Sequence, residues 1–330
     1  MRALTGLIVA LVLLACGSVR AEWYKGNTHT HTINSDGDSS PDMVARWYKE
    51  HRYNFVVISD HNYLTPVDGL NEALAAEGKF LVVSGEEVSD RFQDDSGRGF
   101  EIHLNAVNLA RVIPPPGGNS VVETIQNNVD VINASGAVGQ INHPNFCWSI
   151  TFEDMLAVKD YSHYEIYNGH PAVNNEGGGG IPGTEAIWDS LLTRGKLVFG
   201  VASDDAHHFK EFGPKRSNPG RGWVVVRADK LESGAIARAL ERGDYYSSTG
   251  VELEDLVVTD KKVMVKIEPD RSSTRFTTFF IGRGGKVLKA TGDNPAVYDI
   301  TGKELYVRAR IEDSNGWKAW TQPFYTGAGR

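Results

Sequence analysis

The chain has 330 residues, of which 41% are hydrophobic and 23% charged, with a formal net charge of −8. This length suits one large core or a large domain with a small one, and the composition excludes a disordered chain. The acidic balance argues against nucleic acid as a partner, although bound metal can reverse the local field for an anionic substrate.

In chain order, Arg2 gives a short positive start, and residues 4–15 form an apolar run broken only by Thr5 and Gly6. With the small residues up to Ala21, this reads as a signal peptide over 1–21. The protein is then expected to be exported, periplasmic or secreted, and to have no transmembrane span once mature. Leu13-Leu14-Ala15-Cys16 supplies the alternative, a lipoprotein anchored through Cys16. Removing 1–21 takes away two arginines and no acid, so the charge moves from −8 to −10. Cys147 then stands alone, no intramolecular disulfide can form, and the thiol reads as a passive loop or core residue.

Strand-like apolar runs are expected at 23–32, 55–59, 80–84, 102–109, 137–141, 164–167 and 196–202. Helical patterns fall at 41–51, where Ser40 caps and Pro41 takes the first position, and at 121–134, 184–194 and 231–242. Alternation of strands and helices implies parallel β/α units, hence an α/β fold. A barrel of the TIM type is the first reading and a doubly wound sheet the second. Beyond residue 249 the pattern changes to strands alone, at 251–258, 263–267, 274–281, 303–311 and 317–325. This predicts a small all-β sandwich over 250–330 behind a barrel over 22–249.

Polar residues gather where these strands end. His29 and His31 end the first, Asp60 and His61 the second, and Glu86 and Glu87 the third. His103 lies on the fourth, Asn142-His143 ends the fifth, Asn168 the sixth, and Asp204, Asp205 and His207 the seventh. In a β/α barrel these ends meet on one face, where active sites are built. Each pair alone is weak, and a lone His on an apolar strand is more often a bonded core residue. The ordered set is different, because imidazole and carboxylate together suit Zn, Fe or Mn. His51, His163 and His170 fall outside it and read as surface or packing residues.

The runs His29-Thr-His31-Thr-Ile-Asn-Ser-Asp36-Gly, Ser59-Asp60-His61-Asn62, Gly85-Glu86-Glu87-Val88-Ser89, Ile102-His103, Asn142-His143-Pro144 and Asp204-Asp205-Ala206-His207 resemble, in order, the motifs of the PHP (polymerase and histidinol phosphatase) superfamily. Residues 220–250 further resemble an exported branch that includes carbamate- and ester-cleaving hydrolases. The resemblance implies a distorted (β/α)7 barrel with two or three divalent metal ions. One ion would take His29, His31, Glu87 and Asp205; a second would share Glu87 and take His103 and His143; a third would take Asp36, His61 and His207. Asp36 stands where the family often has His. Glu87 is preferred to Glu86 because Val88-Ser89 then follows the ligand as in the family, and Asp205 to Asp204 for its Asp-x-His spacing.

The expected reaction is phosphoester hydrolysis of a small-molecule substrate by a metal-bridging hydroxide. His207 or Asp60 is the candidate acid or water-orienting group. Arg216 and Arg221 are candidates to grip an anionic substrate group, and Asn168 to line the pocket. The alternatives are a carboxyl-ester or carbamate hydrolase on the same metals, and a non-catalytic metal-dependent binder using the sandwich to hold carbohydrate or a surface.

Overall fold

A computed structural model describes residues 21–268 and 273–327. The expected signal segment, apart from Ala21, and the Cys16 anchor lie outside the described residues. No helix among the described residues is long and apolar enough to cross a membrane.

The chain opens with β1 (Glu22–Asn27), α1 (Pro41–Glu50), β2 (Phe55–Ile58), α2 (Asp68–Leu74) and β3 (Leu81–Gln93). Next come β4 (Gly99–Val107), α3 (Val121–Ser135), β5 (Val138–Ile141), α4 (Phe152–Ala157), β6 (His163–Asn168), α5 (Thr184–Thr193) and β7 (Phe199–Ser203). β8 (Trp223–Ala228), α6 (Ser233–Glu241) and β9 (Tyr245–Ser248) follow. The remainder is all strand: β10 (Leu253–Val258), β11 (Lys262–Ile267), β12 (Phe276–Gly282), β13 (Lys286–Thr291), β14 (Ala296–Asp299), β15 (Tyr306–Asp313), β16 (Lys318–Thr321) and β17 (Phe324–Tyr325).

β1, β2 and β3 pair in parallel, as do β5, β6 and β7. Between the two groups, β4 runs antiparallel to both neighbours, because β3 and β4 form a long hairpin from Gly85–Val107 to Gln93–Gly99. The short loop of the hairpin is closed by the Asp94 carboxylate, which accepts from the backbone of Ser96 and Arg98. So short a connection permits only an antiparallel return.

The expected barrel is not closed. β8 lies antiparallel along Glu22–Gly26 and occupies the β1 edge that β7 would need. Only past the end of β1 does a single parallel bridge, Thr30 to Ala206, join the two ends. The sheet nonetheless curls on itself. Alternate side chains Phe55 and Val57 of β2, Val83 of β3, Val107 of β4, Val201 of β7 and Val224 and Val226 of β8 meet in one core with Ile236 and Leu240 of α6. The opposite β2 face, Val56 and Ile58, packs with Val44 and Tyr48 of α1, as period-two alternation requires. Gly85 lets β3 approach this core, since a Cβ there would lie 2.4 Å from Val57.

The C-terminal strands form a β-sandwich-like unit whose main sheet continues the first one through β9–β16 pairing. The β10–β11–β14 sheet packs on it through Val263, Val265, Phe280, Val307 and Ile311. Arg308 of β15 is fully buried and reaches Asp189 (2.6 Å) and Glu185 (2.8 Å) of α5.

Candidate metal centre

The Thr30–Ala206 bridge builds the centre. Backbone bonds from His31 N–H to Ala206 O (2.9 Å) and from Asp205 N–H to His29 O (3.0 Å) set His-Thr-His beside Asp-Ala-His. Thr30 and Ala206 are the register pair, so their flanking residues share the other face of the backbone. A second bridge, His61 to Glu87, aligns β2 with β3 in the same way.

Four side-chain atoms converge. Nε2 of His29 lies 3.3 Å from Glu87 Oε2 and 3.4 Å from Asp205 Oδ1, and Nε2 of His31 lies 3.3 Å from each of the same two oxygens. The other Glu87 oxygen, Oε1, is 3.2 Å from both His103 Nδ1 and His143 Nε2. Asp36 meets His207 at 3.2 Å and His61 at 3.6 Å, and His61 Nδ1 is 3.0 Å from Glu87. All nine residues expected to hold metal therefore stand together. Glu87 sits between the groups, as a shared ligand would. Of the ambiguous neighbours, Glu86 and Asp204 face away: Glu86 accepts from Ile113 N–H, and Asp204 from Tyr48 and the backbone of Arg221 and Gly222.

The set fits a metal on its own chemistry. His29 Nε2, His31 Nε2, Glu87 Oε2 and His103 Nδ1 are buried and have no hydrogen-bond partner. Buried polar atoms are ordinarily paired, and so many unpaired atoms around one point call for a cation. Among the described residues, four groups of His and carboxylate have ligand atoms within 4.8 Å of one another. The ligands are also held in costly backbone: Asp205 has φ +49° and His143 φ +22°.

Electrostatics give the same reading. Burial pushes the Glu87 carboxyl up, but His29, His61 and His103 outweigh it and hold it well below the usual range. Asp205 is likewise held down against burial by His29, His31 and His207. Burial lowers His61, yet Glu87 and Asp36 push it up to about 10. His31, buried and facing His207 and His61, falls to about 4 and keeps a neutral ring able to ligate. The carboxylates are held down by the surrounding imidazoles, chiefly His29, whose own pKa burial lowers but Asp205, Glu87 and Glu165 push up in return.

Behind the ligands stands Glu165, which the sequence reading missed. It is fully buried and accepts from Ser203 (2.5 Å), the His143 backbone (2.7 Å), Asn168 (2.8 Å) and Gln140 (3.1 Å), while its Oε1 lies 2.8 Å from His29 Nδ1. A carboxylate on the far nitrogen of a ligating His fixes its ring and tautomer. The available signal is a lone Glu inside the apolar strand β6, three residues before Asn168.

Other expected residues take different places. Asp60 is buried, and its two oxygens accept from Thr32 N–H, Thr32 Oγ1, Ser35 and Thr65. With its acceptor sites filled, it shapes the 32–35 loop and is not the acid. Arg221 donates to Gly169 O, Gly213 O and Asn218, and Arg216 pairs with Glu211 at 2.6 Å on the surface. Neither arginine lines the site, because loop carbonyls and a surface acid use their forks. Asn168 is buried and donates to Asp205 at 3.2 Å, so it orients a ligand instead of lining the pocket. Cys147 is exposed in a tight turn with φ +51°, the loop position of the two expected for it. His170, read as packing, instead lines the cavity of about 120 Å³ over the cluster, together with Phe146 and seven of the expected metal ligands, His207 among them.

Fold and site together define an α/β protein with a histidine–carboxylate centre of the kind that holds divalent metal. No family model and no curated protein matches the chain. Among solved structures it is similar to a two-domain protein containing a predicted PHP-like metal-dependent phosphoesterase from Bacteroides vulgatus, at 14% identity over 92% of this chain and 96% of that one, TM-score 0.49. A putative metal-dependent phosphoesterase from Bifidobacterium adolescentis matches at 13% identity over 58% and 89%, TM-score 0.41. An amidohydrolase from Chromobacterium violaceum matches at 13% identity over 58% and 93%, TM-score 0.36.

Proposed function

We propose that the chain is an exported, metal-dependent phosphoesterase of the PHP type. The observation that carries the reading is the convergence of unpartnered, buried His29 Nε2, His31 Nε2 and Glu87 Oε2 on Asp205. His29, His31, Glu87 and Asp205 would hold one ion; Glu87, His103 and His143 a second; Asp36, His61 and His207 a third. When bound, such ions activate water and stabilise charge on a substrate oxygen.

The chain's own part is orientation and charge balance. Glu165 and Asn142 lock the rings and the carboxylate in place, the latter donating to Glu87 at 2.8 Å. Asp36, Glu87, Asp205 and Glu165 bring four formal negative charges, against six from three divalent ions. The surplus is positive and suits a phosphate; with two ions it vanishes. His170 accepts the Ala172 N–H on Nδ1 at 3.2 Å, which leaves its other nitrogen to carry the proton as a donor for a substrate oxygen. His207 holds Asp205 O through Nδ1, which turns Nε2 toward Asp36 and the place of the third ion.

The second reading, ester or carbamate hydrolysis, is favoured by one fact: Arg216 and Arg221 are spent, so neither grips a phosphate. A substrate panel separates the two. Protein reconstituted separately with Mn, Zn and Fe is tested on phosphomonoesters, phosphodiesters, carboxyl esters and aryl carbamates. Hydrolysis of a phosphomonoester, read as phosphate release, or of a phosphodiester, read as alcohol release, is expected; ester or carbamate turnover without either would overturn the first reading.

A further inference from the structure

A second cavity, of about 630 Å³, opens along the seam between α5 and the C-terminal strands, away from the metal ligands. Its volume is that of a small-molecule site. The charged side chains around it are already matched. Arg308 is held by Asp189 and Glu185, Arg310 by Glu185 and Glu312, and Lys318 reaches Glu176 at 3.4 Å. An anion or cation would have to break these pairs. A neutral ligand rich in hydroxyls would not, because paired carboxylates keep lone pairs and paired guanidinium and ammonium groups keep N–H donors. One such donor, Arg308 Nη1, is buried without a partner.

The rim adds a flat apolar surface. Trp317, in the turn between β15 and β16, is 49% exposed. The ring is seated on Gly250, where a Cβ would come 2.6 Å from the ring. The missing Cβ lets the indole lie close against the backbone there, and about half of the side chain remains exposed. A fixed, half-exposed indole beside neutralised polar groups offers C–H stacking and hydroxyl bonding together. That is the chemistry of a sugar ring. We propose that this seam binds a neutral carbohydrate. Asn175 and Glu176 of its wall belong to the same 169–183 loop that carries His170 to the metal pocket, so the two sites share one loop. The proposal stands apart from the reaction assigned to the metal centre.

The test is calorimetric titration of the metal-loaded full chain with neutral gluco-, manno- and galacto-oligosaccharides, and with a uronate oligosaccharide as the charged arm. Saturable binding of a neutral member is expected. Trp317→Ala should weaken it at least about tenfold, through loss of the stacking face. Ala186→Trp, at an exposed position on the α5 wall, should block it by filling the cavity. Metal content should be unchanged in both variants, which separates this outcome from any failure at the metal centre. Binding of the uronate alone, no saturation by any neutral member, or binding indifferent to both variants would overturn the proposal.

Discussion

The metal centre and the α5 seam both bury charge, and they treat it in opposite ways. At the seam, Asp189 accepts from Arg308 Nε (2.9 Å) and Nη2 (2.6 Å) and from Tyr306 (2.8 Å), and Glu185 accepts from the same Nη2 (2.8 Å). At the centre, imidazole nitrogens and carboxylate oxygens face one another at 3.2–3.4 Å, and several have no hydrogen bond. Buried charge alone therefore does not mark a metal site. The mark is buried charge whose partners converge on a point and stop short of bonding.

Glu87→Ala should break the comparison most severely. It removes the carboxylate that meets His29, His31, His61, His103 and His143, so activity should fall to background and metal content with it. Full metal loading in this variant would refute the shared-ligand role. Next, Arg308→Ala should cost about 3–5 kcal/mol in denaturant unfolding, because Asp189 is left buried and unpaired. A loss under about 1 kcal/mol would show the seam pair to be an ordinary surface one.

A smaller effect is expected with pH. His163 is buried, donates from Nε2 to Leu240 O at 2.9 Å, and burial lowers its pKa to about 4. Between 6.5 and 4 the unfolded chain gains a proton there that the folded chain refuses, so stability falls as pH falls. The loss amounts to about 3 kcal/mol, and His163→Gln should flatten it. An unchanged pH profile of unfolding would sink this assignment. Glu165→Gln keeps shape but weakens the hold on His29, and metal affinity should drop about 10–100-fold in a competition titration. Least of all, Arg216→Ala should leave kcat/KM within about twofold, since surface pairs contribute little. A large rise in KM would restore it as a substrate ligand.

The sequence shows much of this, unevenly. Apolar runs ending in His, Asp or Asn betray β1, β2, β5, β6 and β7, because an apolar strand and its polar functional tip differ in composition. The direction of β4 is invisible, since alternation has no polarity and only the short Asp94–Arg98 connection decides it. β3 looks five residues long because Glu86, Glu87, Ser89, Asp90 and Arg91 interrupt its apolar character; their partners lie on β4. Openness of the barrel depends on β8 taking an edge of β1, which no local pattern states. Spacing brings the ligands to light, but not what stands behind them: Glu165 is one acid in a strand, and His170 one histidine in a loop. Arg216 and Arg221 show the converse error, because composition cannot tell a free guanidinium from one bonded to carbonyls.

Whether the unpaired atoms around Glu87 hold metal is decided most directly by elemental analysis of purified protein, before and after chelation. At least two equivalents of transition metal per chain are expected, with activity lost when the metal is removed and regained on its return. A folded, active protein free of metal would contradict a metal centre there.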